Sequence, residues 1–308
     1  MTAKTQSLLS TNCDPNNIDA LDIIQTRRGI SLLGGCGMVY LIAKQVPRLE
    51  IFMMQSLKAR MAAKETLAGT FVKTPAVEVV EVLAKSLLDF IALDAEHAPF
   101  DRGRLDNCLA IARALDFPTL VRVPSGEPSE ILKAMDSGAT GVIVPHVYNV
   151  EKARNIAKWS RFGHGGRGFA GSTRWAGFAT RPMADILKQS EDETVVIAQI
   201  EEPEGVDAAD EIAALAGIDG LFVGPADLSV CLGTTDPNSA PVRDAMRIVG
   251  QATQKHRKTF MTFAPTTETA GELRELGVTM FFIASEHSFM MHGASAAANA
   301  LHAKDTKA

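Results

Sequence analysis

Six side chains in this 308-residue chain sit where apolar runs end, and ordinary folding does not call for them there. One run closes in Asp94-Ala-Glu-His97, one carries Arg122, one closes in Gln199-Ile-Glu201, and one passes into Gly224-Pro-Ala-Asp227. A further run ends in Pro145-His146. A carboxylate or guanidinium carried inward by an apolar run is costly unless it is paired or bound to a metal, so converging acids imply a cation. Strand side chains alternate in direction, which points Gln199 and Glu201 the same way and lets Asp227 from the next strand meet Glu201 across one site. Two carboxylates leave about four positions of an octahedral ion for substrate oxygens and water. That suits Mg²⁺ or Mn²⁺, and Co²⁺ is also admitted because an oxygen-rich site discriminates weakly.

Each residue alone has a plainer role. Glu201 reads equally well as an exposed loop acid beside Glu202, and Asp227 as the N-cap of a short helix begun by Leu228-Ser229. Arg122 reads as an ordinary inter-strand ion pair and His97 as a satisfied loop histidine. Joint placement at the ends of several strands favours a site.

The elements that must position these residues begin near Glu65, where short apolar runs alternate with helical patterns, the texture of βα units around a parallel sheet. Eight strands are expected, at 67–73, 89–93, 119–123, 141–144, 195–200, 220–223, 259–263 and 279–284. Between them, Ala76, Val79, Val80, Leu83 and Leu87, then Val206, Ala209, Ile212 and Leu215, then Val242, Met246 and Val249 repeat at helical spacing and read as packing of outer helices. Gly138, Gly217 and Gly277 stand where a helix must end before the next strand, as residues able to take positive φ. Eight such units close a single (β/α)8 barrel, a TIM barrel of the α/β class, whose functional groups gather at the C-terminal strand ends. A doubly wound open sheet is disfavoured because Lys73-Thr-Pro-Ala is no glycine-rich turn. One connection is long: residues 163–182, GHGGRGFAGSTRWAGFATRP, with Arg167, Arg174, Arg181 and Trp175, whose face of the barrel order alone leaves open.

Composition excludes several classes. A net charge of −5 without charge blocks argues against nucleic acid as a partner. Cys13, Cys36, Cys108 and Cys231 form no CxxC pair, so a reducing cytoplasm fits better than a disulfide framework. The longest uncharged run, 29–43, has fifteen residues, short of the roughly 20 that span a bilayer, so no membrane partner is expected. It follows Arg27 and Arg28 but precedes no A-x-A site, which disfavours a signal peptide. Residues 1–52 are read as an N-terminal extension outside the barrel of residues 53–308, with an alternative start at Met53, Met54 or Met61.

GTFVKTP (69–75), LDAEHAPFD (93–101), VRVP (121–124), GGRG (165–168), QIEEPEG (199–205) and VGPADLS (223–229), in this order and spacing, make the chain resemble the HpcH/HpaI family of class II pyruvate aldolases. That family includes 2-dehydro-3-deoxyglucarate and 4-hydroxy-2-oxoheptanedioate aldolases of sugar acid and aromatic catabolism, and the likeness runs from about residue 55 to the last helix. The resemblance implies that Glu201 and Asp227 hold the divalent metal, that Arg122 contacts the keto oxygen of pyruvate, and that His97 with Asp94 forms the acid/base dyad. It implies that Gln199 steadies the metal-bound substrate or water and that backbone around Gly224, Pro225, Ala226 and Asp227 binds the pyruvate carboxylate. It also implies a homohexamer built from dimers. Two departures stand out: residues 1–52 have no counterpart, and Ser285-Glu286-His287 replaces a segment where relatives often carry Asp.

The expected reaction is retro-aldol cleavage of a 4-hydroxy-2-oxo acid to pyruvate and an aldehyde. His97, or a water at the metal, takes the C4 hydroxyl proton while Asp94 orients the imidazole, and the metal and Arg122 stabilise the pyruvate enolate. Oxaloacetate decarboxylation would use the same enolate site. A Schiff-base mechanism at Lys73 leaves the two acids unexplained, and a non-catalytic binding barrel leaves all six polar residues unexplained.

Overall fold

The computed structural model describes residues 24–26, 29–31 and 55–305. The chain divides into two compact units, residues 1–54 and 55–308. In the first, β1 (Ile24–Thr26) and β2 (Gly29–Ser31) pair antiparallel. The remaining expectations for residues 1–52 lie outside the described residues.

In the second unit, eight parallel strands close into a barrel: β3 (Leu67–Val72), β4 (Phe90–Asp94), β5 (Thr119–Arg122), β6 (Gly141–Val144), β7 (Val195–Ile200), β8 (Gly220–Val223), β9 (Thr259–Ala264) and β10 (Met280–Ser285), with β10 paired back to β3. Each expected strand is present, with ends displaced by at most one residue. Strands buried on both faces read as continuous apolar runs, so their limits were plain.

The helices are α1 (Leu57–Ala62), α2 (Val77–Leu83), α3 (Arg102–Ala114), α4 (Pro128–Ser137), α5 (Val150–Trp159), α6 (Met183–Glu193), α7 (Pro203–Asp207), α8 (Ala209–Ala214), α9 (Pro225–Cys231), α10 (Ala240–Lys255), α11 (Thr267–Glu275) and α12 (Glu286–Asp305). One helix per crossover is therefore too simple, because three crossovers each hold two. In two of these the extra helix starts at once after its strand, with Pro203 or Pro225 at the first turn, where a missing N–H costs nothing. The stripes pack as expected except at Leu87, which lies beyond the end of α2 and is fully exposed.

Gly138 and Gly277 take positive φ at helix ends. Gly217 does not; its lack of a side chain instead admits Ala157, whose Cβ would stand 2.6 Å from an added one.

Side-chain alternation sorts each strand into an outer face under the helices and an inner face. The inner set forms its own cluster, including Leu67, Phe71, Phe90, Ala92, Leu120, Ile143, Val195, Ile197, Phe222, Met261, Met280 and Phe282. Leu57 and Met61 of α1 join that cluster, and Thr259 donates to the Met61 carbonyl, so α1 plugs the barrel opposite the site. At the β10–β3 seam the register shifts between Phe282 and Ser285, and Ala284 takes φ +54°. Glu286 closes the seam by accepting from the Lys73 and Thr74 N–H groups at 2.7 and 2.6 Å. The Ser285-Glu286-His287 departure thus places a buried carboxylate in a structural tie.

Segment 163–182 lies on the N-terminal face: Trp175 N–H donates to Asp136 O beside the Gly138 cap of α4, and Arg174 pairs with Asp106 of α3 at 2.8 Å. In α12 every described side chain from Phe289 to Ala303 is exposed, including Phe289, Met290, Met291 and Leu301.

A tight inward contact is at Gly69, where an added Cβ would fall 2.3 to 2.5 Å from the buried Phe90 ring. Gly69→Ala is expected to lower stability by about 1–3 kcal/mol through overpacking, read as a fall in the urea midpoint; an unmoved midpoint would mean the ring has room to yield.

Candidate active site

The inner-face periodicity of each strand, continued one or two residues past the apolar layer, delivers the polar groups. On β4 the series Phe90, Ala92 reaches Asp94; on β5 Leu120 is followed by Arg122; on β7 Val195, Ile197 leads to Gln199 and then Glu201; on β8 Phe222 leads to Gly224. All emerge at the C-terminal end of the barrel around a cavity of about 290 Å³. Of the expected residues, His97, Arg122, Gln199, Gly224, Pro225, Ala226 and Asp227 line it. Asp94 and Glu201 stand behind that lining, both buried.

Arg122 is fixed from two directions. Asp94, its register partner on the neighbouring strand, accepts from Nε at 2.9 Å and from Nη2 at 2.7 Å in a buried fork. The Phe71 ring lies under the guanidinium at 4.5 Å. The plainer reading of Arg122 as an inter-strand ion pair is therefore true, and the same residue also faces the cavity. Burial works to raise the Asp94 carboxyl, but the Arg122 hydrogen bonds and charge, the His97 N–H and the Lys73 ammonium outweigh it and hold it below the usual range.

The acid/base dyad is not formed as expected. Asp94 Oδ1 accepts from the His97 backbone N–H at 3.1 Å, while the half-exposed imidazole has Glu96 Oε2 at 3.7 Å from its Nε2. The cause is local: chain reversal after β4 brings the amide of residue 97 to Asp94, whose oxygens Arg122 already occupies.

Glu201 is only 3% exposed, which rules out the exposed loop acid. Its Oε1 accepts the His146 N–H at 2.7 Å and its Oε2 accepts from Gln199 Nε2. His146 adopts φ +56°, a conformation costly for a residue with a side chain, and so turns its amide onto Glu201. Asp227 is not an N-cap; that position belongs to Gly224, which leaves Asp227 in the first turn of α9.

Whether these residues suit a divalent cation turns on Gly224. A Cβ there would stand 3.3 Å from Asp227 Oδ2 and 3.4 Å from Glu201 Oε2, so the two carboxylates face one small space that any side chain would fill. Oxygen donors around such a cradle fit a hard cation. Among the described residues no group of three or more His, Cys, Asp or Glu encloses an ion, so the remaining positions would fall to substrate and water.

Several residues of the site escaped sequence reasoning. Phe71, Phe222 and Phe263 form the apolar floor. Lys73, considered from sequence only as a Schiff-base lysine, lines the cavity with its ammonium 3.8 Å from Asp94. Glu96 is partly buried beside Arg122, His97 and His146, and desolvation pushes its carboxyl up against the pull of Arg122 and His97, with Glu201 adding to the push. Position within the motif LDAEHAP was the available signal for Glu96, but strand alternation does not extend through a turn. Arg167, Arg174 and Arg181 do not reach the cavity. Arg167 is buried between Phe162 and Trp175, at 4.0 and 4.6 Å, and burial pulls it down to about 10.

A parallel barrel with its polar groups gathered at the C-terminal strand ends has the organisation of a (β/α)8 enzyme. Residues 67–293 match the HpcH/HpaI aldolase/citrate lyase family, and the chain belongs to that family. It is 34% identical over 231 residues to a 5-keto-4-deoxy-D-glucarate aldolase of Enterobacter sp. (strain 638), covering 74% of this chain and 90% of that one. It is 30% identical over 243 residues to a hydroxypyruvate/pyruvate aldolase of Paraburkholderia phytofirmans, covering 76% and 93%. The crystal structure of an HpcH/HpaI aldolase/citrate lyase family protein from Burkholderia cenocepacia J2315 superposes with a TM-score of 0.76 at 32% identity, covering 80% of this chain and 98% of that one.

The Asp94–Arg122 fork sets a pH dependence. Because the folded-state pKa of Asp94 is depressed, its contribution is complete above the ordinary Asp value of about 3.9 and is lost as pH falls through the folded value. Asp94→Asn should melt well below the wild type at pH 6, and the gap between their thermal midpoints should narrow in acid; a constant gap down to pH 2 would show that the charge is not the cause.

Proposed function

We propose that this chain is a divalent-metal-dependent aldolase that cleaves a 4-hydroxy-2-oxo acid to pyruvate and an aldehyde. The observation that carries the reading is the cradle at Gly224, where Glu201 Oε2 and Asp227 Oδ2 face one space beside the Arg122 cavity. Both curated relatives described above are named aldolases, one of them for pyruvate.

Glu201 and Asp227 would hold the cation, which when bound supplies Lewis-acid polarisation of the 2-oxo group. The protein does the rest with groups already in place. With Nε and Nη2 turned to Asp94, Arg122 keeps Nη1 for the substrate keto oxygen, where negative charge develops. The first turn of α9 presents the Ala226 and Asp227 N–H groups, which have no intrahelical acceptor, to the carboxylate. Phe71, Phe222 and Phe263 keep water from the reacting carbons. His97 takes the C4 hydroxyl proton, the C3–C4 pair passes to the enolate of pyruvate, and protonation at C3 completes the product.

Oxaloacetate decarboxylation is the second reading, favoured by the size of the cavity. At about 290 Å³ it lies at the small end of ligand sites and matches a four-carbon acid. Assembly of copies through the exposed apolar side chains of α12 is part of the proposal, with the homohexamer as the expected state.

Pyruvate release from a panel of 4-hydroxy-2-oxo acids and oxaloacetate, with chelator or with Mg²⁺, Mn²⁺ or Co²⁺, tests the reading. Glu201→Ala and Asp227→Ala should each cut metal-dependent turnover by roughly a hundredfold or more with an unchanged circular dichroism spectrum. A borohydride-trapped pyruvate adduct at Lys73, with activity surviving chelator, would replace the metal reading with a Schiff base.

A further inference from the structure

Three acids crowd the carboxyl ends of β4 and β7, and two have evident employment. Asp94 is engaged by Arg122 and the His97 amide, and Glu201 by Gln199 and the His146 amide. Glu96 is different. Its Oε2 is buried without a hydrogen bond, although Arg122 Nε stands 3.3 Å away and His97 Nε2 3.7 Å away. Its Oε1 faces His146 Nε2, also at 3.7 Å. A buried carboxylate oxygen that has charged neighbours but no hydrogen bond is incompletely satisfied, and a polar atom in that condition at the mouth of a site points to a hydrogen bond that forms when the site is assembled.

The imidazole of His97 is the donor that a small movement can bring. It is half exposed, lines the cavity and has no other carboxylate partner among the described residues. Arg122 cannot supply the bond, because its Nε already points to Asp94 Oδ1 at 2.9 Å. We propose that Glu96 is the positioning residue for His97, accepting the imidazole Nε2–H and leaving Nδ1 as the nitrogen that carries the lone pair. The second oxygen, toward His146, keeps the carboxylate from rotating out of that position. In this arrangement the two carboxylates of the Asp94-Ala-Glu-His97 turn divide the work: Asp94 fixes the backbone of residue 97 and Glu96 fixes its ring.

The kinetic consequence rests on the aldolase reading above, whereas the tautomer does not. Glu96→Ala should lower kcat for pyruvate release roughly tenfold to a hundredfold while KM stays within about twofold, since Glu96 touches the base and not the substrate. Glu96→Gln retains a carbonyl acceptor and should recover most of the loss. Solid-state ¹⁵N spectra of the histidine-labelled, Mg²⁺-loaded full chain, with the His97 signal assigned by its absence in His97→Asn, should show the Nε2–H tautomer in wild type and in Glu96→Gln. An Nδ1–H tautomer in wild type overturns the proposal, as does an unchanged kcat in Glu96→Ala, a loss carried by KM, or a Glu96→Gln enzyme no better than Glu96→Ala. If Glu96→Ala does not fold, the wild-type and Glu96→Gln spectra still decide. If wild type releases no pyruvate from any acid of the panel, the aldolase reading fails, and the tautomer alone decides the role of Glu96.

Discussion

The buried fork between Asp94 and Arg122 is the constraint on which the site rests. The two residues are register partners on adjacent strands, so closing the barrel is what places them opposite each other. Neither is affordable alone in that interior, since deleting one partner of such a pair strands the other charge at a cost of roughly 3–5 kcal/mol. The fork orients the guanidinium edge, the Phe71 ring supports its face, and the spare Asp94 lone pair captures the His97 amide. One ion pair therefore sets the direction of an arginine and the entry of the following turn together.

Glu201 shows the same logic with a different partner. Its burial is tolerated because Gln199 and the His146 amide reach both oxygens, and His146 takes a left-handed backbone to do so. Strain at a residue with a side chain, kept beside a buried acid, signals that holding the carboxylate matters more to this fold than a relaxed turn. Gly224 completes the arrangement by having nothing to put between the two acids.

The strand framework and the inward residues of the strands were readable because one physical rule, alternation about an apolar inner layer, governs both. Asp94, Arg122, Gln199 and Glu201 follow that rule and stand where it puts them. Residues beyond the strand ends obey turn geometry instead, which explains why the ring of His97 meets Glu96 and not Asp94. Gly217 looked like a positive-φ cap and is a packing contact, because sequence does not separate the two reasons for a missing side chain. Leu87 fits the helical stripe by spacing alone, yet α2 ends before it.

The arginine-rich segment 163–182 bears on selectivity by where it is not. It packs on the N-terminal face, with Arg174 paired to Asp106 and Arg167 enclosed by Phe162 and Trp175, so its charges are turned away from the cavity. The inward strand-end groups are meanwhile committed: Arg122 to Asp94, Glu201 to Gln199 and His146, Asp227 and Gly224 to the cradle. A rigid set of this kind suits the end of a substrate that does not vary. In the proposed reaction, discrimination among aldehydes would fall to the less constrained rim, where Lys73, His97, Ala284 and Ser285 border the same cavity at the seam of the barrel.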